Sequence, residues 1–160
     1  MSNSKQIFTL LAILVGTFIV PVNSTMISVG LGSIADSFQT SFSQVSWIVT
    51  IYLIIMTVTQ PLAGKLGDLF GNRRVFLIGI VLFLIASVIC IYAQSLAVLI
   101  VGRAIQAFGG ALITPNGTAI LRYITPKENL AKAFGTFGFS MSIGAAIGPL
   151  VGAVLIHQWD

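Results

Sequence analysis

A single arginine lies in a long uncharged stretch and is the residue best suited to chemistry with charged groups. Arg103 has no other charged residue within 18 positions on either side. On a helix, Gln106, Gly110 and Thr114 would share its face, which we expect to point into a helix bundle. A guanidinium stays protonated, so it is a poor proton carrier, but it can favour the ionised form of a nearby carboxylate or hold an anion. The alternative is an arginine that reaches outward or bonds a backbone carbonyl.

Charge is also concentrated in the stretch GKLGDLFGNRR, residues 64–74, which carries four of the chain's twelve charged residues. We expect a short loop whose glycines permit tight turns and whose arginines hold it at one membrane face. The residues concerned are Gly64, Gly67, Gly71, Arg73 and Arg74. Asp68 would pair with one of these arginines or cap another helix, and either contact would form a latch. A loop that only sets the topology is the alternative.

Short polar residues also interrupt the first two apolar runs. They are Asn23, Ser24, Thr25 and Ser28 in the first run, and Thr50, Thr57 and Gln60 in the second. With Arg103 they suggest the wall of a central cavity, and hydrogen bonds between packed helices are the other interpretation. Asn23 can form hydrogen bonds but cannot carry a proton.

Small residues recur at every fourth position near the end of the chain. The members of this stripe are Thr136, Ser140, Gly144, Gly148 and Gly152. Such a stripe lets two helix backbones approach closely, and Pro149 should bend the helix nearby. Ordinary tight packing is the simplest interpretation of the spacing alone.

The composition decides which elements must position these residues. Hydrophobic residues make up 56% of the chain and charged residues 8%, whereas soluble domains have about 25% charged residues. Continuous apolar runs of this length predict membrane-spanning helices rather than strands. We expect an all-α polytopic bundle over residues 1–160, with five spans at about residues 7–31, 45–64, 75–93, 96–121 and 133–157.

The basic residues predict the orientation of this bundle. Seven of them fall on one side of the predicted spans: Lys5, Lys65, Arg73, Arg74, Arg122, Lys127 and Lys132. The connections on the other side contain no Lys or Arg. This asymmetry predicts a cytoplasmic N-terminus. It also argues against nucleic acid as a partner, because the basic residues are confined to short loops.

Enzymatic and metal chemistry find little support. One histidine and one cysteine cannot build a usual metal site, and no nucleophile–base pair or phosphate-binding loop is present. We therefore predict no enzyme activity, no metal and no cofactor.

Three motifs resemble those of the major facilitator superfamily. Residues 64–74 resemble its loop GxLaDrxGrk, residues 99–111 its fourth-span signature lxxxRxxqGxgaA, and residues 135–153 its antiporter motif ending GPxxGG. The matching residues are Gly64, Leu66, Asp68, Gly71 and Arg73; Leu99, Arg103, Gln106, Gly109 and Ala111; and Gly135, Gly144, Gly148, Pro149 and Gly152. The sequence departs from these motifs at Leu69, Asn72, Ala107 and Ala153.

The first span is similar to that of the fourteen-span drug:proton antiporters. VNSTMISVGLGSI, residues 22–34, resembles their signature LDxTIVNVALPxI. Asn23 replaces the acid of that signature and Gly32 its proline. If that position couples protons in the family, this protein must couple protons elsewhere or not at all.

The resemblance implies a fold, a function and partners. The chain would form five of the six helices in the N-terminal half of a transporter in the cell (inner) membrane, with the second half absent. It implies a latch at Asp68, a proton-transfer role for Arg103 and proton-driven efflux of drugs or similar amphipathic compounds. The lipid bilayer, protons, a small-molecule substrate and the second half would be its partners. A uniporter, a transporter of another substrate class and a truncated, inactive fragment are the alternatives.

Overall fold

The computed structural model of the chain describes residues 3–159, with side chains described for residues 7–157. The described part is helical and contains no strand. Its helices are α1 (Asn3–Val29), α2 (Leu31–Ser37), α3 (Phe42–Val45), α4 (Trp47–Phe70), α5 (Asn72–Ile91), α6 (Leu96–Ile124) and α7 (Leu130–Trp159), with a short 3₁₀ turn at Lys127–Asn129. The side chain of Lys5, used above for the orientation, lies outside the described residues.

Five stretches within the described residues are long and apolar enough to cross a membrane. They are Ile7–Val29, Phe42–Phe70, Asn72–Ile91, Leu96–Ile124 and Lys127–His157. Large apolar side chains such as Leu53, Leu62 and Leu84 cover the outside of the bundle, as lipid contact requires. The predicted all-α polytopic fold is confirmed.

The connection between α4 and α5 is much tighter than the sequence suggested. Gly64 and Gly67 were expected in a loop, and this was wrong, because α4 continues without a break to Phe70. Only Gly71 leaves the helical conformation, with φ of +92°, and α5 begins at the next residue. A residue with a side chain would be strained at this φ. The whole turn therefore depends on the single glycine at position 71.

Helix α6 lies at the centre of the described bundle and packs mainly against α4 and α5, while α1 packs mainly against α7. An apolar core joins α1, α5, α6 and α7 through Ile13, Phe83, Ile113 and Phe137. Because α6 has neighbours on most sides, more of it is buried than of any other described span. A polar residue on the buried face of α6 is therefore held away from lipid.

Helices α5 and α6 cross with their backbones in contact. A Cβ atom at Gly79 would lie 2.8 Å from the carbonyl oxygen of Gly109, and one at Gly109 would lie 2.7 Å from the backbone nitrogen of Phe83. Both distances are too short for any side chain. Membrane helices associate through such close packing, since lipid supplies no hydrophobic driving force between them.

Candidate functional site

Arg103 lies in the middle of the bundle with only 2% of its surface exposed. It projects from α6 on the same face as Gln106 and Gly110, which are also buried. The Arg103 side chain therefore points into the bundle, as the helical spacing predicted. The alternative of an arginine reaching toward the surface is wrong, because α1, α4 and α5 surround its side chain.

All hydrogen bonds of the Arg103 guanidinium are made by one of its nitrogens, Nη1. Nη1 of Arg103 donates to Oδ1 of Asn23 on α1 and, at 2.6 Å, to Oε1 of Gln106. Gln106 Nε2 in turn donates to Ser87 Oγ on α5 at 2.7 Å, and Ser87 donates to the carbonyl oxygen of Phe83. This chain of hydrogen bonds links three helices across the bundle and fixes the position of the guanidinium.

A fourth helix contributes an aromatic ring. The ring centroid of Tyr52 on α4 lies 4.2 Å from Cζ of Arg103, which is the geometry of a cation–π interaction. The Tyr52 hydroxyl is buried without a hydrogen-bond partner, and a Cβ at Gly110 would lie 3.5 Å from it. The hydroxyl therefore packs against the α6 backbone at Gly110. We call Asn23, Tyr52, Ser87, Arg103 and Gln106 the polar centre.

The polar centre contains a positive charge and no acid. Nε and Nη2 of Arg103 are buried and have no hydrogen-bond partner. The acidic residues of the described part are Asp36 in α2, Asp68 near the end of α4 and Glu128 in the 3₁₀ turn, and all three are exposed. A charged arginine inside a membrane normally pairs with an acid or with backbone carbonyls. The polar centre therefore has unused capacity for an anion.

Sequence reasoning missed two members of the polar centre, Tyr52 and Ser87. Tyr52 belongs to the buried stripe of α4 together with Thr59 and Ala63, and this spacing was the signal that could have identified it. The polar stripe proposed for that span was a different one: Thr50 and Thr57 lie on the exposed face and bond their own helix backbone. They do not contribute hydrogen bonds to the polar centre.

The residues of the expected latch lie at the turn between α4 and α5. Asp68, Arg73 and Arg74 are all exposed. Among the described residues Asp68 has no hydrogen bond or ion pair, so the expected pair with Arg73 or Arg74 is not formed. The physical reason is that Asp68 belongs to the last turn of α4, while the two arginines open α5 after the reversal at Gly71.

Asn116 holds the same end of α4 against α6. Its side chain is fully buried, and Nδ2 donates to the carbonyl oxygens of Ala63 at 3.1 Å and Leu112 at 2.8 Å. Its Oδ1 atom, together with that of Asn72, occupies the space that a side chain at Gly67 would need. Sequence reasoning missed this contact, although an asparagine in a buried apolar helix was a visible signal.

The glycines of α7 pack against the backbone of α1. A Cβ at Gly144 would lie 2.9 Å from the Phe18 carbonyl oxygen, and one at Gly148 would lie 2.7 Å from that of Val22. One at Gly152 would lie 2.5 Å from the carbonyl oxygen of Met26. The other predicted motif residues lie elsewhere. Gly135 is exposed in open space, and Pro149 lies within a helix that continues to Trp159.

A separate cavity of about 410 Å³ lies near the turn between α4 and α5, bounded by α1, α5 and α6. Apolar side chains such as Phe8, Phe76 and Ile120 line it, with Arg73 at its edge. It does not touch Arg103. In this conformation the guanidinium is covered by its own neighbours, so a ligand reaches it only when the surrounding helices move.

Fold and site together define a polytopic α-helical membrane protein with a buried cation at the centre of its bundle. The sequence profile of the Major Facilitator Superfamily matches residues 13–160. The chain belongs to this superfamily, whose members are membrane transporters and not enzymes. The expectation that the chain is not an enzyme is thereby confirmed.

Individual relatives agree with this assignment. The chain is 50% identical over 160 residues to the Uncharacterized MFS-type transporter YvkA of Bacillus subtilis (strain 168), covering all of this chain and 36% of that protein. It is 33% identical over 148 residues to Multidrug resistance protein 3 of the same organism, covering 92% of this chain and 29% of that protein. The chain thus spans about a third of the length of the curated relatives it matches.

A solved structure shares the fold. The crystal structure of a bacterial homologue of the human lysosomal transporter Spinster, inward-facing and occupied, superposes with a TM-score of 0.85 at 22% identity. The match covers 97% of this chain and 34% of that one. At this level of identity the similarity establishes the arrangement of the helices.

Proposed function

We propose that the chain is the N-terminal part of a secondary active exporter that uses the proton gradient to expel drugs or other amphipathic compounds. The observation that carries this proposal is the polar centre. A buried guanidinium held by residues from α1, α4, α5 and α6 is costly in a membrane and marks a functional site by default. In a transporter the substrate site lies near the bilayer midplane, between moving parts.

Two observations support export as the direction. The residues that match the antiporter motif include Gly144, Gly148 and Gly152, and these are the glycines that contact α1. One relative is a multidrug resistance protein. The fourteen-span drug:proton antiporters, which the first span resembles, are the subgroup that we propose.

In this proposal, proton coupling uses a group outside the polar centre. Asn23, which stands where that subgroup has an acid, accepts a hydrogen bond from Arg103 and has no titratable proton. Arg103 stays charged throughout transport. We therefore assign the proton-carrying carboxylate to the remainder of the transporter, with Arg103 and Gln106 as fixed parts of the cavity.

The turn between α4 and α5 acts in this proposal as a latch between the two halves. Asp68 is exposed and without a partner among the described residues, so it is free to pair with a helix end or a cation of the second half. We also propose that this turn and the N-terminus lie in the cytoplasm of a cell whose inner membrane holds the protein, as the basic residues indicate.

Export from proteoliposomes tests the proposal. The full-length product of the gene that encodes this chain is reconstituted and challenged with a cationic dye (ethidium), a neutral dye (Nile red) and an anionic dye (1-anilinonaphthalene-8-sulfonate), each with and without a proton gradient. We expect gradient-dependent transport of at least one dye, with Arg103→Ala and Asp68→Asn each lowering the rate about tenfold or more.

Matched controls separate these effects from general changes of charge. Arg122 lies exposed near the end of α6, and Glu128 lies exposed in the 3₁₀ turn. Arg122→Gln and Glu128→Gln should transport at the rate of the unaltered protein. Transport at the same rate with and without the proton gradient would favour a uniporter instead. Full activity of Arg103→Ala and Asp68→Asn would refute the roles given to those residues.

A further inference from the structure

We infer that Arg103 binds a two-oxygen anion, a carboxylate or a phosphate-like group, carried by the transported compound. This inference rests on the proposed function and adds the chemical class of the substrate to it. The starting observation is the asymmetry of the guanidinium. Both hydrogen bonds go to Nη1, while Nε and Nη2 are buried and have no partner.

The two unpaired nitrogens form one edge of the guanidinium. Nε–H and one Nη2–H point in parallel from this edge, and such a pair of donors matches the two oxygens of a carboxylate or phosphate in a bidentate contact. Neutral amide oxygens from Asn23 and Gln106 occupy only the far nitrogen. The arrangement leaves the edge best suited to anions open for a ligand.

The charge of the polar centre favours the same class of ligand. Its other members are two amides, a hydroxyl and a phenol, so nothing in it balances the charge of Arg103. The exposed positions of Asp36, Asp68 and Glu128 place the carboxylates of the described residues outside it. A cationic substrate would meet an unscreened like charge in a medium of low dielectric, whereas an anionic substrate would neutralise it.

Rigid neighbours keep the guanidinium in place for this contact. The Tyr52 ring covers one face at 4.2 Å, and the hydrogen bonds through Gln106 and Ser87 fix the other end. A charged group that is already oriented loses little conformational freedom when a ligand binds. The edge becomes accessible when the helices around Arg103 move relative to one another, since residues of this chain close it from solvent in this conformation.

A binding experiment tests the anion site without any transport step. The full-length gene product in lipid nanodiscs is titrated with 1-naphthoate, its uncharged isostere 1-naphthamide and cationic 1-naphthylmethylamine, and empty nanodiscs are subtracted. We expect 1-naphthoate to bind about tenfold or more tightly than the other two. Equal binding of the three probes, or no saturable binding of 1-naphthoate, overturns the inference and indicates that a carboxylate elsewhere in the transporter fills the edge.

Two variants locate the site, and a third is the control. Arg103→Gln removes the charge and should abolish the preference for naphthoate. Asn23→Asp keeps the arginine but places a carboxylate next to Nη1, and should weaken naphthoate binding about tenfold or more while preserving the fold. Arg122→Gln, on the exposed part of the same helix, should bind naphthoate unchanged. Unaltered naphthoate binding by Asn23→Asp would overturn the inference even if Arg103→Gln fails to fold.

This experiment and the export assay can fail separately. Gradient-dependent export of a cationic or neutral dye alone, with no selective naphthoate binding, would leave the exporter proposal standing and remove the anion site. Selective naphthoate binding lost in Asn23→Asp, without export of any dye, would leave the anion site standing and remove the exporter proposal.

Discussion

The side-chain amide of Asn116 on α6 fills the space where a side chain at Gly67 on α4 would begin. The same amide donates to the carbonyl oxygens of Ala63 and Leu112, so it is held from both helices. This contact joins the helix that carries Arg103 to the end of the helix that carries Asp68. Asn116 is thus one of the contacts that pack the two proposed functional regions of the chain against each other.

Gly67→Ala should destabilise the protein. The added methyl group overlaps Oδ1 of Asn116, and moving this amide aside would strain the two hydrogen bonds that its Nδ2 donates, at a cost of about 1–3 kcal/mol. The measurement is the melting temperature of the full-length gene product in dodecylmaltoside. Gly64→Ala is the matched control, because position 64 is helical and has open space around it. An equal melting temperature for the two variants would contradict the proposed contact.

Asn116→Ala should lower the stability by about 1–2 kcal/mol through the loss of two hydrogen bonds. It should also remove one of the two side chains, Asn116 and Asn72, that occupy the space of a methyl group at position 67. The double variant Gly67→Ala/Asn116→Ala should therefore lose less than the sum of the two single losses, by about 0.5 kcal/mol or more. Thermal unfolding of all four proteins completes this double-mutant cycle. Strict additivity would show that the two residues do not interact.

Tyr52→Phe should leave the stability almost unchanged, within about 0.5 kcal/mol, because the hydroxyl has no hydrogen-bond partner and the ring remains over Arg103. Tyr52→Leu removes the ring and should cost about 0.5–2 kcal/mol in lost cation–π interaction. Melting temperatures of both variants distinguish the contributions of ring and hydroxyl. A loss clearly above about 0.5 kcal/mol for Tyr52→Phe would mean that the hydroxyl has a partner after all.

Gly148→Ala should separate α7 from α1. The methyl group would overlap the Thr25 side chain and approach the Val22 carbonyl oxygen to 2.7 Å, and backbone atoms cannot move aside as a flexible side chain does. We expect a loss of about 1–3 kcal/mol. Gly138→Ala, on the exposed side of the same helix with nothing within 4 Å, is the control. The melting temperature of Gly138→Ala should be well above that of Gly148→Ala. The reverse order would refute the packing of α7 against α1.

Composition and continuous apolar runs were enough to predict the fold, because lipid leaves a spanning chain few options besides the helix. The inward orientation of Arg103 followed from helical spacing in the same way. The partners of Arg103 could not be predicted from the sequence. Asn23 is 80 residues away in the sequence, and its contact with Arg103 depends on how α1 and α6 pack, which one sequence does not specify.

The loop at residues 64–74 shows a second limit. Three glycines in eleven residues are typical of a flexible connection, yet two of them are helical. Gly67 is small because Asn116 needs the room, and this reason becomes visible only when α4 and α6 are placed side by side. The tertiary packing therefore decided the role of a residue whose local properties favoured a turn.

The order of the polar centre along the chain has a consequence for biosynthesis. Asn23, Tyr52 and Ser87 all precede Arg103, and each belongs to a span that leaves the ribosome earlier. The arginine therefore enters the bilayer after the helices that carry Asn23, Tyr52 and Ser87, while Gln106 enters with it on the same helix. Because translation runs from the N- to the C-terminus, the charge that is costly in the membrane is inserted after α1, α4 and α5. In a protein with these spans in another order, the arginine would be inserted before its partners.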